Sequence, residues 1–358
     1  MSENKLIDGE KLKSFIRDIF LSVGVVEEDA TITSNSLVEA DLRGVYSHGV
    51  IRVPIYIKRI KLGLVNPISK IEIINDNKAV AVLDANNCLG QVSSTRAMNM
   101  ALEKADKYSI GAVVVRNSNH FGTAAGYTLL AVEKDMIGYA TTNSACRMVP
   151  TGGKDQIIGN NPFSYAIPAG KFLPIVLDLS CSVVSLGKIL LKKKKGEALP
   201  SGWALDKEGN PTNDPYIVLE DGGSLVPIGE HKGYGMALIN DILSSSLGDS
   251  IGGTQVTTLY DLTTAKKSNT GHFFMALKID NFIPINRFKQ RVDTKIWEIK
   301  NSAKREGVEQ IYLPGEIEFK TKEENLEYGI PINEEVLKDL KSIADENGIN
   351  MENYQLFR

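Results

Sequence analysis

Cysteine is scarce in this 358-residue chain: Cys88, Cys146 and Cys181 stand alone, with no C-x-x-C pair among them. That pattern excludes a disulfide framework and a zinc knuckle. Neither charge sign is in excess, since 41 basic against 44 acidic residues leave a net charge of −3. Such a balance gives no electrostatic footprint for nucleic acid or an anionic membrane and favours a small soluble partner. No stretch reaches the ~18 apolar residues of a membrane span. The first twenty residues carry Asp8, Glu10 and Asp18 among their lysines rather than a basic segment ahead of an apolar run. These absences lead to the expectation of a cytoplasmic protein. The common nucleotide and metal signatures are missing too. No G-x-G-x-x-G follows a strand, no G-x-x-x-x-G-K-[ST] occurs, and neither an H-x-x-x-H pair nor a G-x-S-x-G elbow is present. A Rossmann fingerprint, a P-loop, a helical zinc site and a serine-hydrolase turn are therefore unsupported, and no metal is expected.

What is present reads as an α/β chain, and the length corresponds to roughly two domains of ordinary size or one large unit. Leu12, Phe15, Ile16, Ile19, Phe20 and Val23 fall on one face of a helix, with Gly24 placed to end it. Helix is also predicted over 27–42, 51–63, 92–108, 123–134, 233–247, 289–306 and 334–347. The small and β-branched run 111–115 predicts a strand covered on both faces. Further strands are predicted over 70–74, 79–83, 138–142, 174–179 and 272–279. The basic segment 192–205 is expected to lie outside the core.

Histidine is rare, with four residues, and two of them occupy glycine-flanked polar turns, Tyr46-Ser-His48-Gly and Asn119-His120-Phe-Gly122. Imidazole titrates near neutrality, as reversible proton transfer requires, and loops after sheet strands are where α/β proteins place ligands. The plain alternative is a histidine that caps a helix or holds a loop carbonyl. His272 opens an apolar strand and reads as structural. Arg52 follows His48 by four residues, so on a helix its guanidinium shares a face with the imidazole and suits a substrate carboxylate; Tyr56 continues that face. A solvated helix with its basic residues outward is the competing view. In Glu230-His-Lys232-Gly233-Tyr-Gly the glycines precede a helix, whose backbone N–H groups and Lys232 suit a phosphate. Asp178, Leu179 and Ser180, and Pro314, Gly315 and Glu316, are polar turns after apolar runs, suited to ribose or phosphate or serving as plain turns.

Taken in order, the motifs Tyr46-Ser-His-Gly-Val-Ile-Arg52, Asn117-Ser-Asn-His-Phe-Gly122, Thr142-Asn-Ser144, Gly159-Asn-Asn-Pro162, Asp178-Leu-Ser180, Gly187-Lys188, Gly209-Asn-Pro-Thr212, His231-Lys-Gly-Tyr-Gly235 and Leu313-Pro-Gly-Glu316 resemble the malate/L-lactate dehydrogenase family of the non-Rossmann type. Members of that family include ureidoglycolate and sulfolactate dehydrogenases. The resemblance implies a family-specific non-Rossmann α/β fold with a mixed sheet flanked by helices, and dimers that build the site near the subunit interface. It implies a helical, dimerising lobe from 1–70 and 285–358 around an interleaved cofactor- and substrate-binding lobe, 71–284. The implied reaction is NAD(P)-dependent interconversion of a 2-hydroxy acid and a 2-oxo acid, with NAD ahead of NADP. By position, His120 matches the acid/base histidine and His48 a second catalytic histidine, while Arg52 and Tyr56 match substrate contacts. Ser144, Asp178, Leu179, Ser180, Lys232, Gly233, Pro314, Gly315 and Glu316 match cofactor contacts. Three residues depart from the family pattern. Arg147 stands three residues beyond Ser144, where many members carry a neutral residue, and fits either a second anionic or polar ureido group on the substrate or a plain surface charge. Glu230 precedes the phosphate turn, and Leu186 stands where arginine is common. A reductase for carboxylated cyclic imines and a non-catalytic dinucleotide-binding protein are the alternatives.

Overall fold

The structure is a computed structural model, and it describes residues 4–264 and 266–358. Eleven helices are present among them: α1 Gly9–Ser22, α2 Glu27–Leu42, α3 Val53–Lys61, α4 Gly90–Tyr108, α5 Ala125–Val132, α6 Leu186–Lys195, α7 Pro215–Glu220, α8 His231–Ser244, α9 Ile285–Lys300, α10 Glu316–Tyr328 and α11 Glu334–Glu346. The strands are β1 Asn4–Ile7, β2 Glu72–Asn77, β3 Val80–Asp84, β4 Ile110–Ser118, β5 Met136–Thr142, β6 Cys146–Met148, β7 Ile158–Gly159, β8 Phe163–Ile167, β9 Ile175–Leu179, β10 Ala204–Leu205, β11 Pro211–Thr212, β12 Ser224–Leu225, β13 Thr270–Lys278 and β14 Ile330–Asn333.

Seven strands form the main sheet in the order β2-β3-β4-β13-β5-β8-β9. β3 and β4 pair in parallel, and the remaining neighbours are antiparallel, so the sheet is mixed. Successive side chains of a strand point to opposite faces. Val113 and Val115 of β4 accordingly enter an apolar core with Ala97, Met98 and Ala101 of α4. Val114 enters a different core with Phe273, Tyr139 and Ala237 of α8. The covering of β4 on both faces thus follows from its unbroken apolar sequence. Gly111 lets α4 lie close, because a Cβ there would stand 1.9 Å from the Ala101 carbonyl oxygen. A five-stranded sheet of short strands, ordered β11-β10-β12-β6-β7, packs over the second core.

A third core is built by segments far apart in the chain. Leu12, Phe15, Ile16, Ile19 and Phe20 of α1, the residues that carried the helical periodicity, are buried with Leu37 and Val38 of α2, Val53 and Ile57 of α3, and Leu337, Leu340 and Ala344 of α11. β1 pairs with β14 in antiparallel register from Asn4↔Asn333 to Ile7↔Ile330. α9 packs elsewhere: Asp293 accepts the N–H groups of Gly170 and Lys171, and Lys289 pairs with Asp135.

Two local expectations are corrected. The basic segment 192–205 enters the core, since Leu199 and Ala204 are buried, and its lysines close the end of α6. Cations are favoured at a helix C-terminus, and here Lys192 and Lys193 also pair with Glu197 and Glu220. The stretch from Ser47 is not one helix. Two 3₁₀ turns, Tyr46–His48 and Val50–Arg52, meet at Gly49 and lead into α3.

Candidate active site

The Tyr46–Arg52 turns are fixed from beneath by Asp41 of α2, whose carboxyl oxygen Oδ2 accepts the Val50 N–H at 2.8 Å. Gly49 permits this approach, for a Cβ there would stand 1.8 Å from Asp41 Oδ1. Burial raises the Asp41 carboxyl to about 8. Asparagine 119, which precedes His120, donates to the Cys88 carbonyl at 2.8 Å, and Gly90 lets the start of α4 press on the backbone of Asn119 and His120. A glycine-flanked turn and a helix start therefore bring His48 and His120 face to face, with ring centroids 5.6 Å apart and an interplanar angle of 20°.

A cavity of about 210 Å³ opens at this pair. It is lined by His48, Arg52 and His120, by Ser144 and Arg147 beyond β5, by Asn160, by Leu186 and Gly187 at the start of α6, and by Tyr260. No carboxylate lines it among the described residues, and neither Arg52 nor Arg147 has an acidic partner among them. Arg52 Nε donates to the Ser47 carbonyl at 2.7 Å and Nη1 donates to the Tyr260 hydroxyl. The end-on pair of Nη groups keeps N–H bonds for a ligand. Ser144 Oγ donates to Asn160 Oδ1 at 2.8 Å, and the Ser144 N–H to Asn161 Oδ1 at 2.9 Å.

Both imidazoles are held neutral. Burial, followed by the Arg52 charge, lowers His48 to about 4. Burial, then the charges of His48, Arg52 and His272, push His120 well below its ordinary value. Tyr56 is buried and does not line the cavity; its hydroxyl lies 2.6 Å from His120 Nδ1. His272 is fully buried between Thr142 Oγ1 and Ser118 Oγ, at 2.8 and 2.9 Å, as its place at the head of an apolar strand implied.

The other residues singled out in the sequence lie outside the cavity, in two groups. From Asn160 the carbonyl accepts the Cys181 N–H, the Cys181 carbonyl accepts the Ile228 N–H, and the Ile228 carbonyl accepts the Gly233 N–H. Ser180 adjoins this path, and its hydroxyl lies 3.1 Å from that of Ser182. The N–H groups of Lys232 and Gly233 are spent on the turn at Ile228 and Gly229, so the helix start offers the Lys232 ammonium rather than free backbone donors. Lys232 is exposed with no ion pair among the described residues, and Glu230, also exposed, holds a positive φ of 53° at the cap. Asp178 and Leu179 end β9; Asp178 Oδ2 accepts the Ala125 N–H at 2.7 Å. Pro314 joins this strand through its carbonyl, which accepts the Val176 N–H, and Gly315 lies against Val176. Glu316 is buried, paired with Lys300, and accepts the Leu313 N–H at 3.0 Å. Leu177 and Leu179 face the α8 side of the sheet and Val176 the α5 side, so Lys232 with Ser180 and Asp178 with Pro314 to Glu316 form two separate groups, and the unpaired Lys232 ammonium is the one suited to a phosphate.

Sequence reasoning missed Gln91, Asp41 and Tyr260. Gln91 and Asp41 lie within helical stretches with no motif around them, and Tyr260 lies in an irregular segment. Asn160 and Asn161 were within reach, because they stand in the run Gly159 to Pro162.

The family model described as malate/L-lactate dehydrogenase matches residues 7–341. The chain belongs to the malate/L-lactate dehydrogenase family. It is accordingly an oxidoreductase acting on a CH–OH group. It is 43% identical over 347 residues to the malate dehydrogenase of Pyrococcus horikoshii, covering 95% of each chain. The structure of the sulfolactate dehydrogenase from Methanocaldococcus jannaschii superposes with a TM-score of 0.91 at 40% identity, covering 98% of this chain and 99% of that one. More distant members include a ureidoglycolate dehydrogenase (NAD(+)) of Escherichia coli O157:H7 at 29% identity, covering 94% of this chain and 95% of that one. A (2R)-3-sulfolactate dehydrogenase (NADP(+)) of Chromohalobacter salexigens is 33% identical over 73% of this chain and 77% of its own.

Proposed function

We propose that this family member interconverts a 2-hydroxy acid and its 2-oxo acid with a nicotinamide dinucleotide, and that its preferred substrate carries two negative charges, as malate and sulfolactate do. The observation that carries the reading is the charge pattern of the cavity: two arginines, two neutral imidazoles and no carboxylate among the described residues. Two guanidiniums that line a cavity without a counter-charge among its lining residues favour an anionic ligand, which can take charge-assisted hydrogen bonds from both. Arg52 receives the carboxylate through its free Nη edge, and Arg147 the second anionic group. His120, with Nδ1 on Tyr56, turns Nε2 to the substrate oxygen and exchanges its proton. His48 stacks against it and excludes water from that side. A bound nicotinamide ring supplies the two-electron acceptor or donor for the C2 position. Ser144, Asp178, Leu179, Ser180, Lys232, Gly233, Pro314, Gly315 and Glu316 are assigned to hold it on the resemblance of their motifs, with the Ser144 and Ser180 hydroxyls and the Lys232 ammonium as the side-chain donors. NAD is placed ahead of NADP, the relatives' names including both NAD(+) and NADP(+) enzymes. The names of the relatives, malate and sulfolactate dehydrogenases among them, support this reading.

A homodimer belongs to the proposal, and so does the division into a helical lobe, 1–70 with 285–358, and the lobe 71–284, on which α9 docks through Asp135, Gly170 and Lys171. Leu238, Ile239 and Ile242 stand exposed on α8 with Leu247 beyond it, a larger apolar strip than a lone helix face needs. Sedimentation equilibrium reads the dimer directly. The central test is a substrate panel followed by NADH and NADPH absorbance: malate, sulfolactate, lactate, ureidoglycolate and a cyclic imino acid. The expected order places the dianions first; preference for the imine, or tight NADH binding without any turnover, overturns the assignment.

A further inference from the structure

Gln91 lies wholly buried on α4, outside the cavity, and its amide points at the catalytic pair from behind. Its Nε2 donates to the Tyr56 hydroxyl oxygen at 3.1 Å, and that hydroxyl lies 2.6 Å from His120 Nδ1. The Gly122 N–H also points at Nδ1, at 3.4 Å. A hydroxyl oxygen already accepting from an amide directs its own hydrogen onward. Two donors therefore converge on Nδ1, which must carry a lone pair, and the ring proton of neutral His120 falls on Nε2, on the cavity side. Gln91 Oε1 is buried with no hydrogen-bond partner among the described residues. A buried unsatisfied amide oxygen is costly unless another state of the site uses it.

We propose that Gln91 is a positioning residue that sets the tautomer of His120 through Tyr56, with two polarities of the same relay. In the ligand-free state the amide N–H donates to Tyr56, Tyr56 donates to Nδ1, and the ring presents Nε2–H to the cavity. A half-turn of the amide brings Oε1 to the Tyr56 O–H; the Tyr56 oxygen then accepts from Nδ1–H, and the Nε2 lone pair faces the cavity. Oxidation of a hydroxy acid uses the second polarity. The proton leaves the substrate hydroxyl for Nε2, converting neutral imidazole to imidazolium, while Nδ1–H stays on Tyr56 and no proton leaves the relay. Reduction reverses this transfer. Burial keeps Tyr56 a phenol throughout by pushing it up to about 12. The groups facing His120 are His48, Arg52, Tyr56 and His272, with no carboxylate among them, so the tautomer depends on hydrogen bonding rather than on an acidic neighbour.

This inference rests on the dehydrogenase reading for its purpose, but its test needs neither cofactor nor turnover. Long-range proton–nitrogen spectra of ligand-free protein labelled with ¹⁵N-histidine report which ring nitrogen of each histidine is protonated. His120 is expected as the Nε2–H form. His272 is the internal reference: the Thr142 hydroxyl gives its one hydrogen to the carbonyl of Asn143 or of Gly271 and so accepts from Nδ1–H, giving the opposite tautomer in the same spectrum. Gln91→Met, of similar length with no donor, is expected to leave a mixture at His120 and no change at His272. An Nδ1–H His120 in the unaltered protein overturns the relay even if the variant does not fold. A single unchanged tautomer in a folded Gln91→Met protein overturns the role of Gln91. In either event turnover of hydroxy acids stands or falls separately in the substrate panel.

Discussion

A single side chain decides each half of the proposed chemistry. His120→Ala removes the only imidazole whose Nδ1 is buttressed by Tyr56, and a lost acid/base group costs roughly 10²- to 10⁴-fold in rate. The expected outcome is a drop of that size in kcat with dinucleotide affinity, measured by fluorescence titration, nearly unchanged. Arg52→Lys keeps the charge but loses the planar pair of Nη donors, so the expected change is a raised KM. Arg147 separates substrates instead of catalysing. Arg147→Leu is expected to lower kcat/KM for malate roughly 10- to 100-fold, the worth of one charge-assisted hydrogen bond, while lactate changes little. An equal loss for both acids would remove Arg147 from the substrate.

At the scale of elements, the site depends on how α2 supports the turns that carry His48 and Arg52. Gly49→Ala drives a Cβ into the Asp41 carboxylate, and neither group has slack, since Asp41 is buried. The expected result is a loss of ~1–3 kcal/mol in urea-unfolding free energy together with a raised KM. Asp41 also gives a pH signature. Its folded value, about 8, lies above the unfolded value, so its contribution is full below about pH 4 and is lost as the pH rises through about 8. Asp41→Asn, which keeps an acceptor for the Val50 N–H, should therefore show a flatter decline in stability between pH 5 and pH 8 than the unaltered protein. The same turns show how far the sequence could be read. The runs Tyr46 to Arg52 and Asn117 to Gly122 pointed to His48, Arg52 and His120, and all three line one cavity. The reasoning that put His48 and Arg52 on one helical face failed, because Gly49 splits the stretch into two 3₁₀ turns. Periodicity located α1 because its buried face repeats at helical spacing. It missed α10, whose charged sequence leaves only Glu316 and Asn325 buried. Gln91 was illegible for another reason: nothing local marks a buried amide whose partner lies in α3.

For the whole molecule, the buried imidazoles govern the acid side. His48 and His272, at about 4 and about 3, both lie below the unfolded value near 6.5. Their contribution is present above pH 6.5 and is lost as the pH falls toward those values. His272→Gln removes one of them, so its urea midpoint should shift less between pH 7 and pH 5 than that of the unaltered protein; an equal shift would assign the acid limb to other groups.

The pairing of β1 with β14 carries a consequence for synthesis. Residues 4–7 and the apolar face of α1 find their partners roughly 330 residues later, in β14 and α11. While the chain is being made, Leu12, Phe15, Ile16, Ile19 and Phe20 have α2 and α3 beside them but not the segment that seals them. At ~5–20 residues per second that interval lasts on the order of tens of seconds, a long exposure of sticky surface. Relative to β14 and α11, α1 is made early and shielded late, so its apolar face stays open to other surfaces for as long as the intervening residues take to be translated.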